Sequence, residues 1–240
     1  MRALRILARR ELTSTWRDPR TAVVIGVIVF VGVFTSAADP PQSYSDTVES
    51  TIALTLFAVA VSVALAGGDT FARERAMDTS SLVRLSGSPA YAVVGAKWIA
   101  LVSVALFSVM IMALFGAAKV IAFGIAPPKW IAVAFLAVAP LAGLVISAAV
   151  LAVAAWMRMP RVATPVALVA SFIVVLPVFL NRALYPTPVA PLAEVMRALA
   201  WGDPLDPWMP AIGTAAALGA GYVVAVMGYA WLRTAPPGGE

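Results

Sequence analysis

Along this chain, long apolar runs alternate with short polar ones. Six runs are long enough to cross a hydrocarbon core about 30 Å thick: roughly 21–38, 51–68, 98–118, 130–157, 162–180 and 208–232. None of them contains Asp, Glu, Lys, Arg or His. The pattern predicts an all-α polytopic membrane protein, a single transmembrane domain over residues 1–240 with six transmembrane helices. Three polar stretches frame those helices: a lead-in over 1–20, a charged segment over 69–97 and a proline-rich connection over 181–207.

Each polar stretch predicts structure of its own. In residues 1–10, Ala3, Leu4, Leu7 and Ala8 fall on one helical side and Arg2, Arg5 and Arg9 on the other, which predicts an N-terminal interfacial helix. The pattern weakens at Ile6, Glu11 and Leu12. Between the second and third runs, Arg73, Glu74, Arg75, Asp78, Arg84 and Lys97 form the most charged part of the chain. Such charges belong outside the bilayer, because each costs roughly 2.5–3.5 kcal/mol at its centre. Asp78 or Thr79 can cap a two-turn helix through Leu85, Gly87 can end it in the left-handed conformation, and Ser88-Pro89 restarts a helix leading into the third run. Leu82 and Leu85 would be the apolar contact face of that short helix, with Asp78 and Arg84 available for charged contacts. This segment reads equally as a docking element for a soluble partner and as an ordinary loop. In the last connection, Pro191–Trp201 predicts a short helix with Leu192, Val195 and Leu199 facing the bilayer or the neighbouring spans, and Asp203-Pro204 breaks it. It reads as an external lid or as a plain interfacial helix.

Composition agrees with the pattern. The chain has 240 residues, 62% of them hydrophobic and 12% charged, with a net charge of +5 and neither Cys nor His. That excludes thiolate nucleophiles, disulfides, His-based metal sites and a Ser-His-Asp triad. The basic residues are unevenly placed. With both termini cytoplasmic, thirteen of the seventeen Lys and Arg residues lie inside, leaving Lys119, Lys129, Arg182 and Arg197 outside. The positive-inside rule thus predicts that orientation in a bacterial cytoplasmic membrane, and the basic excess reads as topology, not nucleic-acid binding. Ser36-Ala37-Ala38 offers small residues for signal cleavage, but a basic lead of about twenty residues before an eighteen-residue run reads as a retained span.

Energy sources are narrowed too. Ion-coupled carriers keep ionisable groups at mid-membrane depth, and these runs have none, although sodium sites built from carbonyls and hydroxyls stay open. No GxxxxGK[ST] loop is present to cradle ATP phosphates. Gly213, Ala217, Gly221 and Ala225 form a small-residue ridge suited to close helix approach, and Pro140, Pro165 and Pro177 lie where they can kink spans.

Three stretches resemble the membrane-spanning permease subunits of type-2 (exporter) ABC transporters. ARRELTSTWRDPRT at 8–21 is similar to that family's basic lead-in before the first span. ARERAMDTSSLVRLSGSPAYAVVGAKW at 72–98 is similar to its Glu-Arg pair, leucine-bearing short helix, small-residue-plus-proline turn and Lys opening the third span. MRALAWGDPLDPWMPAI at 196–212 resembles its outer helix and turn into the sixth span. The chain departs from the pattern at Ala76-Met77-Asp78-Thr79, where Gly-Thr is common, and at Asp203-Pro204, where Asn-Pro is usual. The resemblance implies that two permeases pair, identical or paralogous, and that each receives a cytoplasmic ABC ATPase through a cytoplasmic coupling helix. The implied docking residues are Glu74, Arg75, Asp78, Leu82, Arg84 and Leu85. Leu199, Trp201, Asp203 and Pro204 would belong to an external gate. It further implies no enzyme activity and no cofactor in this chain, with ATP and Mg on the partner, and export or flipping of a lipid, polymer, peptide or drug-like substrate. Three rival readings are a haem or cytochrome-maturation permease, an ion-coupled carrier and a membrane-embedded enzyme.

Overall fold

A computed structural model describes residues 2–37, 44–77, 87–122, 134–179, 189–201 and 208–234. Those residues are helical almost throughout, with no strand among them. In chain order the helices are α1 (Arg2–Arg17), α2 (Pro19–Ala37), α3 (Tyr44–Gly67), α4 (Thr70–Ala76), α5 (Ala90–Ala122), α6 (Ala139–Trp156), α7 (Pro160–Phe179), α8 (Ala190–Trp201) and α9 (Trp208–Thr234). A π-helical turn, Ala134–Val138, precedes α6. Pro140 therefore sits at a junction between two helical windings, where its missing N–H interrupts least.

Four stretches are long and apolar enough to cross a membrane: Val48–Ala76, Ala90–Lys119, Leu136–Trp156 and Pro210–Trp231. They mark a membrane-embedded helical protein. Among the described residues, two further apolar helical stretches, Pro19–Phe34 in α2 and Pro160–Leu176 in α7, are shorter.

Two helices form the centre. In α3, Ile52, Leu56, Val59 and Val63 repeat at helical spacing and are fully buried, and in α6 Ala142, Ile146, Val150 and Ala154 are buried likewise. These helices touch each other, and α5 and α7 pack against both. α2 lies on the outside of α3 and α5, and α9 packs chiefly on α6. The outward faces of α2, α7 and α9 are apolar, with Phe30, Phe34, Val169, Ile173, Val223 and Met227 exposed. In lipid such faces cost nothing, so the helices are held by close fit and by polar contacts between them. A Cβ on Gly143 would stand 3.1 Å from the Ala105 methyl, and one on Gly221 would stand 3.1 Å from Ala148, so both glycines mark close approach. The predicted small-residue ridge of α9 divides: Gly221 and Ala225 face the bundle, whereas Gly213 faces open space. Across α3 and α5, the Ser62 and Ser108 hydroxyls lie 2.8 Å apart.

α8 covers the end of the bundle away from α4. Its Leu192, Ala193 and Met196 are buried, and Val195 and Leu199 pack on the same core, so the apolar face predicted for this helix meets the neighbouring spans.

Candidate functional site: a charged clasp at one end of the bundle

Helix α1 is amphipathic, and its inner face follows the start of α5. Ala8 is buried and Leu7 packs on the core, while Arg5 and Arg9 point outward, as the alternation predicts. Trp16 sets its ring edge-on to Phe107 at 5.1 Å and donates its indole N–H to the Ser103 hydroxyl at 3.0 Å. Glu11, where the amphipathic pattern weakens, lies on this inner face. Its carboxylate meets Lys97.

Lys97 is only 3% exposed, directly before the apolar run that starts at Trp98. Its ammonium donates to Glu74 Oε1 at 2.6 Å, Thr70 Oγ1 at 3.2 Å and Glu11 Oε2 at 3.3 Å. Three acceptors match three N–H donors. The Phe71 ring lies 5.4 Å from the nitrogen, and Phe71 in turn packs on Tyr229 of α9 at 5.2 Å. A cation so buried is tolerable only with this complete set of partners.

A second group of charges stands beside the first. Arg73 bonds Asp18 at 2.6 Å and lies 3.8 Å from Asp69, and Arg20 bonds Asp69 at 2.5 Å. Asp18 also caps α2, accepting the Arg20 backbone N–H at 3.0 Å beside Pro19 at the first helical position. Burial alone would raise the Asp18 carboxyl, but the Arg20 amide and the Arg73 guanidinium outweigh it and hold it below its ordinary 3.8. Between the two groups lies a cleft of about 220 Å³, lined by Arg10, Glu11, Asp18, Arg73, Glu74 and Met77 among others.

Arg75 turns to the other side of α4. It donates to the main-chain oxygens of Met157 at 2.8 Å and Ala155 at 3.3 Å, satisfying carbonyls at the end of α6. Three consecutive side chains of a seven-residue helix thus grip three places: Arg73 the α1–α2 junction, Glu74 the start of α5 and Arg75 the end of α6.

Of the predicted docking residues, Glu74 belongs to this cluster, whereas Arg75 holds the end of α6 on the other side of α4. Glu74 reaches the lead-in through Lys97 and Glu11. The remaining docking residues, Asp78, Leu82, Arg84 and Leu85, lie outside the described residues, as do Asp203 and Pro204. Gly87 has a φ of +64, the left-handed conformation predicted for it. Of the gate residues, Leu199 is half-buried against the core and Trp201 is exposed. Sequence reasoning missed the clasp formed by Glu11, Asp18, Arg20, Asp69, Arg73 and Lys97. Its one sequence signal was a carboxylate, Glu11, on the apolar side of an amphipathic helix. Compared with family models and with curated proteins, the chain matches none.

Proposed function

We propose that this protein is a membrane-spanning permease subunit of an ATP-driven exporter of the ABC type-2 class, working with a separate cytoplasmic ATPase. What carries the reading is the grip of α4 on three parts of the bundle. α4 leads directly into residues 77–87, the segment proposed as the coupling helix. A push delivered there reaches α1–α2 through Arg73, α5 through Glu74 and α6 through Arg75, because short charge-assisted bonds transmit displacement without much slack. Met77, 61% exposed, stands at the edge of the clasp cleft and begins that segment.

The six-span count rests on length. At 1.5 Å per residue, the 19 residues of α2 and 20 of α7 reach roughly 28 and 30 Å, close to a bilayer core, so they join the four longer spans. An even count, with the basic clasp end inside, gives cytoplasmic termini in a bacterial cytoplasmic membrane and makes α1 the interfacial helix. In this reading a second permease, identical or paralogous, completes the pathway, ATP and Mg stay on the ATPase, and α8 stands over the external mouth. The cargo is a lipid, polymer, peptide or drug-like molecule.

The test is to tag the protein in its native membrane, extract it gently and identify what co-purifies in near-equal amount. A Walker-motif ATPase is expected, and it should be lost in Leu82→Asp with membrane insertion intact. Absence of any ATPase under several mild conditions, or an unchanged yield with Leu82→Asp, rejects the reading.

A further inference from the structure

The outward face of α1 has a different character from its inner one. Ile6, Arg9, Arg10, Thr13, Ser14 and Arg17 line a shallow groove of about 510 Å³ along it. Arg9, Arg10 and Arg17 are exposed, and no carboxylate lies within ion-pair distance of any of them among the described residues. The acidic side chains nearby are committed elsewhere: Glu11 to Lys97, Asp18 to Arg73, and Asp69 to Arg20 and Arg73. Arg5 and Arg9 stand one turn apart near the start of the helix, where like charges repel and the helix dipole disfavours cations. Locally, then, α1 carries unneutralised positive charge that an external anion would relieve.

Its position says which anion. Six residues beyond Arg17, past the bend at Asp18, α2 already exposes Val23 at 64%, and Phe30 two turns later at 70%. The exposed surface thus passes from cationic on α1 to apolar on α2 within a few residues. Ile6, 63% exposed in the middle of the arginines, adds an apolar contact that a free inorganic anion cannot use. At the same end, Arg158 lies over the Trp231 ring at 5.2 Å, and Arg161 and Arg20 flank one groove between α2 and α7, so cations continue around the bundle at this level.

From this we infer that the outer stripe of α1 is a docking surface for anionic phospholipid headgroups, with Arg9, Arg10 and Arg17 meeting the phosphates and Ile6 the start of an acyl chain. A zwitterionic headgroup answers the stripe poorly, since its own ammonium offsets the phosphate. The inference rests on the membrane-embedded character of the chain and does not need the transporter reading. Each arginine near an anionic surface strengthens association on the order of five-fold, less at high salt.

The experiment uses the full chain, delipidated in neutral detergent and titrated separately with phosphatidylglycerol, phosphatidylcholine and inorganic phosphate. Native mass spectrometry reads the bound lipid, and tryptophan fluorescence reads the melting temperature. Phosphatidylglycerol should bind at least ten-fold more tightly than phosphatidylcholine and raise the melting temperature, and the preference should shrink between 50 and 500 mM salt. It should be lost in Arg9→Gln/Arg10→Gln/Arg17→Gln and kept in the matching triple Lys variant. Should the triple Gln variant lose its helical circular dichroism, the three single variants carry the test, each lowering the preference several-fold. A preference unchanged by these substitutions overturns the inference, as does an equal effect of inorganic phosphate. Absence of any headgroup preference, the result expected if the stripe serves an acidic protein surface, overturns it too.

Discussion

The two ends of the bundle use charge in opposite ways. At the clasp end, Lys97 is 3% exposed and joins three helices that are far apart in sequence. At the other end of α3, Arg197 bonds Glu194 on its own helix at 2.8 Å and approaches Glu49, itself 56% exposed, at 4.0 Å. The close contact lies within α8, and both carboxylates, Glu194 at 36% and Glu49 at 56%, are more exposed than any charged partner of Lys97. A buried cation shared by α1, α4 and α5 cannot part from either carboxylate without leaving charge in a poorly solvated place. The difference teaches that the clasp end is built to move as one body, whereas α8 is held at its end mainly by apolar packing.

The sharpest way to break this contrast is Lys97→Met, which leaves Glu11 and Glu74 facing each other without a cation. We expect a loss of about 3–5 kcal/mol in denaturant unfolding of the purified protein, partly recovered by adding Glu74→Gln. If Lys97→Met melts like the wild type, the clasp does not hold these helices. Next comes Gly68→Ala at the turn between α3 and α4. The new Cβ would lie 2.6 Å from the Ala64 carbonyl oxygen and 2.9 Å from the Ala167 methyl. Because backbone must shift to admit it, about 1–3 kcal/mol should be lost, read by the same melt.

Acid should loosen the clasp through Asp18. Its carboxyl titrates below the ordinary 3.8 in the folded protein, so the stability it contributes is complete above that value. That contribution disappears as pH falls through the lowered value, below about pH 4. Asp18→Asn should flatten this part of the stability–pH curve between pH 5 and 3, and an unchanged slope would remove Asp18 from the clasp. The smallest effect is expected at the other end: Glu194→Gln, at a carboxylate 36% exposed, should cost only about 0.2–1 kcal/mol. A loss as large as that of Lys97→Met would erase the comparison.

Much of this architecture was legible beforehand, and the reason differs from element to element. α2, α7 and α9 are helices along stretches that the apolar runs marked, because a long apolar run kept from water has no alternative to helix. α5 starts at Ala90, directly after the Ser88-Pro89 expected to restart a helix leading into the third run, so the last eight residues of the segment over 69–97 belong to that helix. Pro89 marks that start, but nothing local shows that Lys97 is covered from outside by α1. Nor does anything local show that Trp98, next in the chain, donates to the Ser147 hydroxyl of α6 at 3.1 Å and packs on Tyr222 of α9.

By itself the sequence determined that this chain is helical and membrane-embedded, where its apolar helices run, and that α1 has a cationic side. These properties are local, set by runs and periodicities of a few turns that ask only whether a side chain meets water or hydrocarbon. Only the tertiary structure decided which charges are neutralised. Glu11 and Lys97 stand 86 positions apart, and Arg20 and Asp69 stand 49. Whether they meet depends on the register of α1, α3, α4 and α5 against one another, which interhelical packing sets and no single stretch of sequence encodes. The arginines left over on the outside of α1 are known only by subtraction, once every nearby carboxylate has found its partner.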